Sequence, residues 1–105
     1  MAKAKPGELW LIDLGIVQKA RPCVILSIDY LDHERAVVSY VPRTTVPRQT
    51  RFEVVHSAPG FDPGAFDAQG IGGVPVAKLE RRLGVLPPAM LQQVEAAVKL
   101  WLKLP

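Results

Sequence analysis

The stretch Arg21-Pro22-Cys23-Val24-Ile25-Leu26-Ser27, read together with Val41-Pro42-Arg43-Thr44-Thr45, decides the fold of this chain. Each is an apolar run with a cation and a hydroxyl placed at one end. Pro22 to Ile28 is nearly continuous in apolar residues, the pattern of a central strand. Ala36 to Val41 (AVVSYV) is the next such run. Polar residues 29–35 lie between them, so the two strands read as a hairpin. Pro42 is expected to end the second of these strands, because it has no N–H to give to a ladder.

Working outward, Glu8 to Leu14 (ELWLIDL) reads as the preceding strand and Gly15 to Ala20 as a loop. Residues 43–51 carry Pro47 and several hydroxyls and read as a loop before a fourth strand, Phe52 to His56. Ser57 to Gly73 holds five glycines, two prolines and two aspartates, and is expected to be irregular with at most a short helical turn. Val74 to Leu79 is expected as a fifth strand, held to an edge by Pro75. Pro87 and Pro88 suit a helix start, where missing amide donors cost little. Met90, Leu91, Val94, Ala97, Val98, Trp101 and Leu102 then recur at helical spacing, so this helix is expected to pack on the sheet. Several strands, short loops and one terminal helix predict a mainly β (α+β) protein built on a small, strongly curved antiparallel sheet or partial barrel.

With 105 residues, the chain is expected to form one domain, 1–105. Its formal charge is +3 and its pI about 9.3, a mild basic excess. The distribution is more telling than the total. No acid occurs from Leu14 to Ile28, which contains Lys19 and Arg21, nor from Ala36 to Phe52, which contains Arg43, Arg48 and Arg51. These stretches are expected to form one positive face. Mean hydropathy is +0.15, which favours an oligomer that buries part of the surface. The opening Met-Ala-Lys-Ala-Lys-Pro has no apolar stretch after its lysines and does not read as a signal peptide. No window approaches ~20 apolar residues, so a cytoplasmic protein with no membrane partner is expected.

Little else offers chemistry. The single cysteine, Cys23, lies in an apolar run and is expected as a buried, inert thiol. His33 and His56 stand outside any HxH, HExxH or CxxC context, so neither a metal nor a cofactor is expected. Gly70-Ile71-Gly72-Gly73 is followed by Val-Pro rather than by a helix, and there is no GxSxG elbow. That leaves Arg21 and Thr44. Pro22 restricts the residue before it, which helps fix Arg21 at the mouth of its strand. A guanidinium held this way grips a phosphate through two parallel hydrogen bonds, and Thr44 offers a hydroxyl. Taken alone, the pair reads more readily as a strand-edge charge and a turn residue than as a site.

Four pieces, in order along the chain, resemble the MazF/PemK family of toxin endoribonucleases. Gly7-Glu8-Leu9-Trp10-Leu11-Ile12-Asp13-Leu14 resembles the family's opening strand. Arg21-Pro22-Cys23-Val24-Ile25-Leu26-Ser27 is similar to its Arg-Pro strand, and Val41-Pro42-Arg43-Thr44-Thr45 to its Pro-x-Thr strand end. Lys78-Leu79-Glu80-Arg81-Arg82-Leu83-Gly84-Val85-Leu86 is similar to its C-terminal Arg-Leu-Gly block.

The resemblance implies a small SH3-like antiparallel barrel of the CcdB/PemK type with a C-terminal helix, assembled as a homodimer. It implies metal-independent cleavage of single-stranded RNA by 2′-hydroxyl attack, leaving a 2′,3′-cyclic phosphate and a 5′-hydroxyl. Arg21 falls on the family's catalytic arginine and Thr44 on its catalytic threonine. A guanidinium stays protonated at neutral pH, which makes Arg21 mainly a charge stabiliser and at most a proton donor, so the base is left unnamed. Lys19, Arg43, Thr45, Arg48 and Arg51 are expected to contact RNA. The implied partners are single-stranded RNA and an antitoxin with an acidic disordered tail, the two competing for the basic face, with operator DNA as a target of the toxin–antitoxin complex. Two alternatives stand beside this: a CcdB-like gyrase-poisoning toxin, for which Trp101 on the last helix speaks, and a non-catalytic binding barrel.

The chain departs from the family at three places. The Gly15–Ala20 loop is short, arginine replaces an apolar residue at position 43, and Gly72-Gly73-Val74-Pro75 lacks the usual serine and glutamine. Arg43 is expected at the surface, beside phosphates or in solvent.

Overall fold

Strand β2 (Ala20–Ile25) lies in the middle of the sheet and explains the apolar run that encodes it. Successive side chains of a strand point to opposite faces, so a strand covered on both faces reads as continuously apolar. Val24 enters one core, with Leu9, Val41, Phe66, Leu86, Val94 and Val98. Cys23 and Ile25 enter the other, with Ile12, Val38 and Tyr40. The computed structural model describes residues 4–105. Met1 to Lys3, the start of the segment read above as no signal peptide, lie outside the described residues.

Around β2 the elements run β1 (Glu8–Asp13), α1 (Gly15–Gln18), β2, β3 (Val37–Thr44), β4 (Glu53–His56), β5 (Gly64–Asp67), β6 (Gly72–Pro75), β7 (Leu79–Val85) and α2 (Pro88–Leu102). All the pairings are antiparallel. The sheet order is β4-β5-β3-β2-β1-β7, with β6 added on β3. The barrel expected from the resemblance is open, since the end strands β4 and β7 do not pair.

Helix α2 starts with Pro88 in its first turn and ends at Lys103 in the left-handed region. It buries Val94, Ala97 and Val98 in the first core, and Trp101 meets Phe52 edge-on at 5.2 Å. The expected packing of this helix on the sheet is what the structure has. Among the described residues no helix is long and apolar enough to cross a membrane.

Four expectations need correction. The 15–20 segment is not a simple loop: Gly15–Gln18 forms one helical turn, closed by Lys19 N–H to Gly15 O at 2.7 Å. Strand β3 does not stop at Pro42 but runs on to Thr44. Pro42 falls where one edge of β3 changes partner, between β6 (pairing Val37–Tyr40) and β5 (pairing Arg43 and Thr44), so its missing donor costs little there. The 57–73 stretch contains a strand, β5, and the start of another, β6. Residues 74–79 are split between β6, a 3₁₀ turn and β7, and β7 forms the outer edge beside β1.

Gly70 and Gly72 of the 70–73 run answer to packing. A Cβ on Gly72 would lie 2.6 Å from Tyr40 Oη, so the Tyr40 ring lies against β6 where that strand has no side chain.

Candidate active site

The β2–β3 ladder pairs Ile25 with Tyr40, Val24 with Val41 and Cys23 with Pro42. Continued two residues, the same antiparallel register sets Arg21 opposite Thr44, on the face that Cys23 and Pro42 share. Both residues line one pocket of about 380 Å³. Arg48, Thr50, Glu53, Asp67 and Gln69 complete its polar wall, with Pro42 and Val46 as its apolar part.

Each polar group has an assigned place. Thr44 Oγ1 accepts Val46 N–H at 3.1 Å, which leaves its hydroxyl hydrogen free to donate into the pocket. Glu53 organises the loop opposite. Its carboxylate accepts Arg48 N–H at 3.1 and 2.9 Å and Thr50 N–H at 2.6 Å. The Thr50 and Arg48 amides hold this carboxyl below its usual range, so it stays ionised and occupied. Asp67 ends β5 and caps the 3₁₀ turn 68–70 by accepting Gln69 N–H at 3.1 Å on Oδ1. Its second oxygen is not engaged by that contact.

Of the expected RNA-contacting residues, only Arg48 joins Arg21 and Thr44 in this pocket. Thr45 lines a neighbouring groove of about 490 Å³ with His56. Lys19 is exposed at the tip of the β1–β2 turn, and Arg51 lies 4.7 Å over the Phe52 ring; neither lines these cavities. Arg43 overturns its expectation. It is 5% exposed, on the opposite face of β3 from Thr44, and its guanidinium donates to His56 Nδ1, His56 O and Asp62 O. The apolar neighbours of β3 set this: Val41 points into the first core, and Arg43 is the next residue on that face.

Glu53, Asp67, Thr50 and Gln69 were not singled out in the sequence. Glu53 opens a strand and reads as an ordinary polar strand end, while Asp67 sits in the Gly- and Pro-rich run. Carrying β3 past Pro42 is the step that brings β5, and with it Asp67, to Thr44.

Cys23 pairs with Pro42, one of the pocket residues, and belongs to the second core. It is fully buried, and burial pushes its thiol up to about 12 despite nearby Arg21, so it is a poor nucleophile there. Among the described residues no three His, Cys, Asp or Glu side chains cluster as metal ligands.

The PemK-like, MazF-like toxins of type II toxin–antitoxin systems match residues 5–102. A solved structure described as an endoribonuclease in complex with its cognate antitoxin, from a mycobacterial species, superposes with TM-score 0.83 at 26% identity, covering 98% of each chain. Mycobacterium tuberculosis toxin MazF-mt6 superposes with TM-score 0.80 at 24% identity, covering 93% of this chain and 98% of its own. The MazE–MazF structure from Deinococcus radiodurans does so with TM-score 0.83 at 19% identity over 100% of each chain. The last two speak to the fold. With the family match spanning nearly the whole chain, this protein belongs to the PemK-like, MazF-like toxins of type II toxin–antitoxin systems.

Proposed function

We propose that this toxin is an endoribonuclease that cuts single-stranded RNA in the Arg21–Thr44 pocket. The observation that carries the reading is the meeting of these two residues in one cavity, on adjacent strands. The similar mycobacterial structure is itself described as an endoribonuclease.

In this reading the scissile phosphate docks between Arg21 and the Thr44 hydroxyl. The ribose 2′-oxygen attacks phosphorus, its proton leaves, and the bond to the 5′-oxygen breaks as that oxygen takes up a proton. The products are a 2′,3′-cyclic phosphate and a 5′-hydroxyl. Negative charge builds on the phosphoryl oxygens during attack. Preorganised donors aimed at those oxygens stabilise it where water is scarce. Arg21 supplies the charge, Thr44 orients the phosphate, and Arg48 holds a flanking phosphate. Asp67 takes the 2′-proton: it lines the same pocket and its second oxygen is not engaged by the Gln69 amide, whereas both Glu53 oxygens are committed to the loop. The charge stabilisation comes from the chain's own cations, so cleavage persists in EDTA.

The partners follow from the same charges. An antitoxin with an acidic segment competes with RNA for Arg21 and Arg48, and the similar mycobacterial structure holds its cognate antitoxin. The toxin acts as a cytoplasmic homodimer, and its complex with antitoxin binds operator DNA.

The test is end-group mapping of RNA exposed to the purified protein in EDTA, with Arg21→Ala and Thr44→Ala alongside. Cyclic-phosphate ends that disappear in both variants are expected. Intact RNA over a broad range of sequences, from folded protein, would sink the reading.

A further inference from the structure

Arg43 and His56 are the buried polar or charged residues among those described, at 5% and 4% exposure, and the reaction above uses neither. Arg43 Nε donates to His56 Nδ1 at 2.7 Å. Its Nη2 donates to His56 O at 3.0 Å and to Asp62 O at 2.5 Å. The guanidinium lies 5.1 Å from the Phe61 ring centroid, and the imidazole packs against Phe61 and Phe66. One side chain of β3 therefore ties down the last residue of β4 and the loop that leads into β5.

That tie bears on the pocket. Strands β3 and β5 share only two register pairs, Arg43 with Phe66 and Thr44 with Ala65. Thr44 is on one side of this short seam, and Asp67 ends the strand on the other. The seam is also tight: a Cβ on Gly64 would lie 2.3 Å from Thr44 O and 2.9 Å from Arg43 Nη1. The separation of Thr44 from Asp67 is thus set by the two β3–β5 ladder pairs, by the Glu53–Asp67 pair that ties β5 to β4, and by the Arg43 contacts that hold the end of β4 to β3.

The geometry also fixes a protonation state. Nδ1 accepts a hydrogen bond, so it carries a lone pair and the imidazole is neutral with its hydrogen on Nε2. A proton at Nδ1 would set N–H against N–H and two buried cations side by side. Burial first, and the guanidinium second, hold His56 below its ordinary value of 6.5. The charged groups around it do not offset this. Asp62 is exposed and acts on Arg43 from the loop. Glu53 shares the groove with His56, but its oxygens are taken by the Arg48 and Thr50 amides. The remaining neighbours, Leu9, Ser57, Leu83, Leu86 and Met90, carry no charge.

We propose that Arg43 and His56 form a proton-sensitive positioning staple: with His56 neutral it holds β5 and Asp67 in line with Thr44, and proton uptake by His56 opens residues 57–63 and lowers turnover. The turnover part rests on the endoribonuclease reading; the opening of the loop does not.

The experiment pairs single-turnover RNA cleavage with hydrogen exchange and imidazole NMR from about pH 7.5 to about pH 5, the range in which a histidine changes charge. In the wild type, kcat is expected to fall up to about tenfold per pH unit below the His56 titration read by NMR, with KM steady. Amide protection across 57–63 is expected to fall with the same midpoint. His56→Gln keeps an acceptor for Arg43 and removes the titration, so it retains turnover near neutrality and loses this acid limb. His56→Leu strands the Arg43 donor and lowers kcat about tenfold at every pH. An unchanged acid limb in His56→Gln, or 57–63 protection that ignores His56 titration, would overturn the staple. If no RNA is cut yet protection follows His56, the staple stands and the endoribonuclease reading falls instead.

Discussion

Cys23 faces Pro42 across the β2–β3 ladder, and this pairing decides where Arg21 and Thr44 meet. Each lies two residues further out on the same face, side by side in one pocket. If that arrangement stabilises charge on a phosphate, Arg21→Ala is expected to cut kcat by about 100- to 1,000-fold with a smaller effect on KM. Arg21→Lys is expected to recover only part of the loss, because an ammonium lacks the two-pronged grip of a guanidinium. Thr44→Ser keeps the hydroxyl and most activity, whereas Thr44→Val loses both. Single-turnover rates on one RNA substrate check all four; a Thr44→Val enzyme at wild-type rate would remove Thr44 from the reaction.

Much of this was legible in the residues, for identifiable reasons. Pro22 to Ile25 could be read as central because both faces of β2 are covered, although the strand ends there and Ile28, expected in it, is exposed; α2 could be read because only one of its faces is covered. Pro42 misled, since its lack of an N–H matters only where the edge which that N–H would face is paired, and one edge of β3 changes partner at this residue. Strand β5 was hidden because four residues, Gly64–Asp67, are too few to show alternation inside a Gly- and Pro-rich run. Strand β7, an edge strand, carries Glu80, Arg81 and Arg82 facing solvent and so shows no apolar period. Within the site, Arg21 and Thr44 were visible, but the two carboxylates were not. Arg43 was misplaced because an arginine reads as a surface residue unless its partners are known, and His56 is thirteen residues away on another strand.

Glu53 separates two roles for a pocket carboxylate. Its oxygens hold the Arg48 and Thr50 amides, so Glu53→Ala is expected to loosen that turn and raise KM several-fold through misplacement of Arg48, with kcat largely kept. Asp67→Asn is expected to do the reverse and lower kcat at nearly constant KM. If Glu53→Gln abolished kcat and Asp67→Asn did not, the proton acceptor would be Glu53.

Gly64 is a stability prediction with a functional consequence. The atom that an added Cβ would meet at 2.3 Å is the Thr44 backbone oxygen, which cannot swing aside as a side chain can. Gly64→Ala is expected to cost about 1–3 kcal/mol, the usual range for overpacking. It also widens the β3–β5 seam and lowers cleavage. Urea unfolding checks the first part. A Gly64→Ala protein as stable and active as wild type would show that the seam has slack.

Stability against pH is expected to show two separate acid limbs. His56 lies below 6.5 in the folded protein through burial and the Arg43 guanidinium. The unfolded chain therefore binds the proton more readily, and its share of stability is present above 6.5 and lost as pH falls through the folded value. Glu53 lies below its ordinary 4.5 because of the Thr50 and Arg48 amides, so its share is present above 4.5 and lost at still lower pH. Urea midpoints measured across both windows should fall first with His56 and again with Glu53. In His56→Gln the first limb is expected to flatten while the second persists. A His56→Gln protein that keeps the first limb would move that proton uptake to another group and leave Arg43 with a purely structural bond.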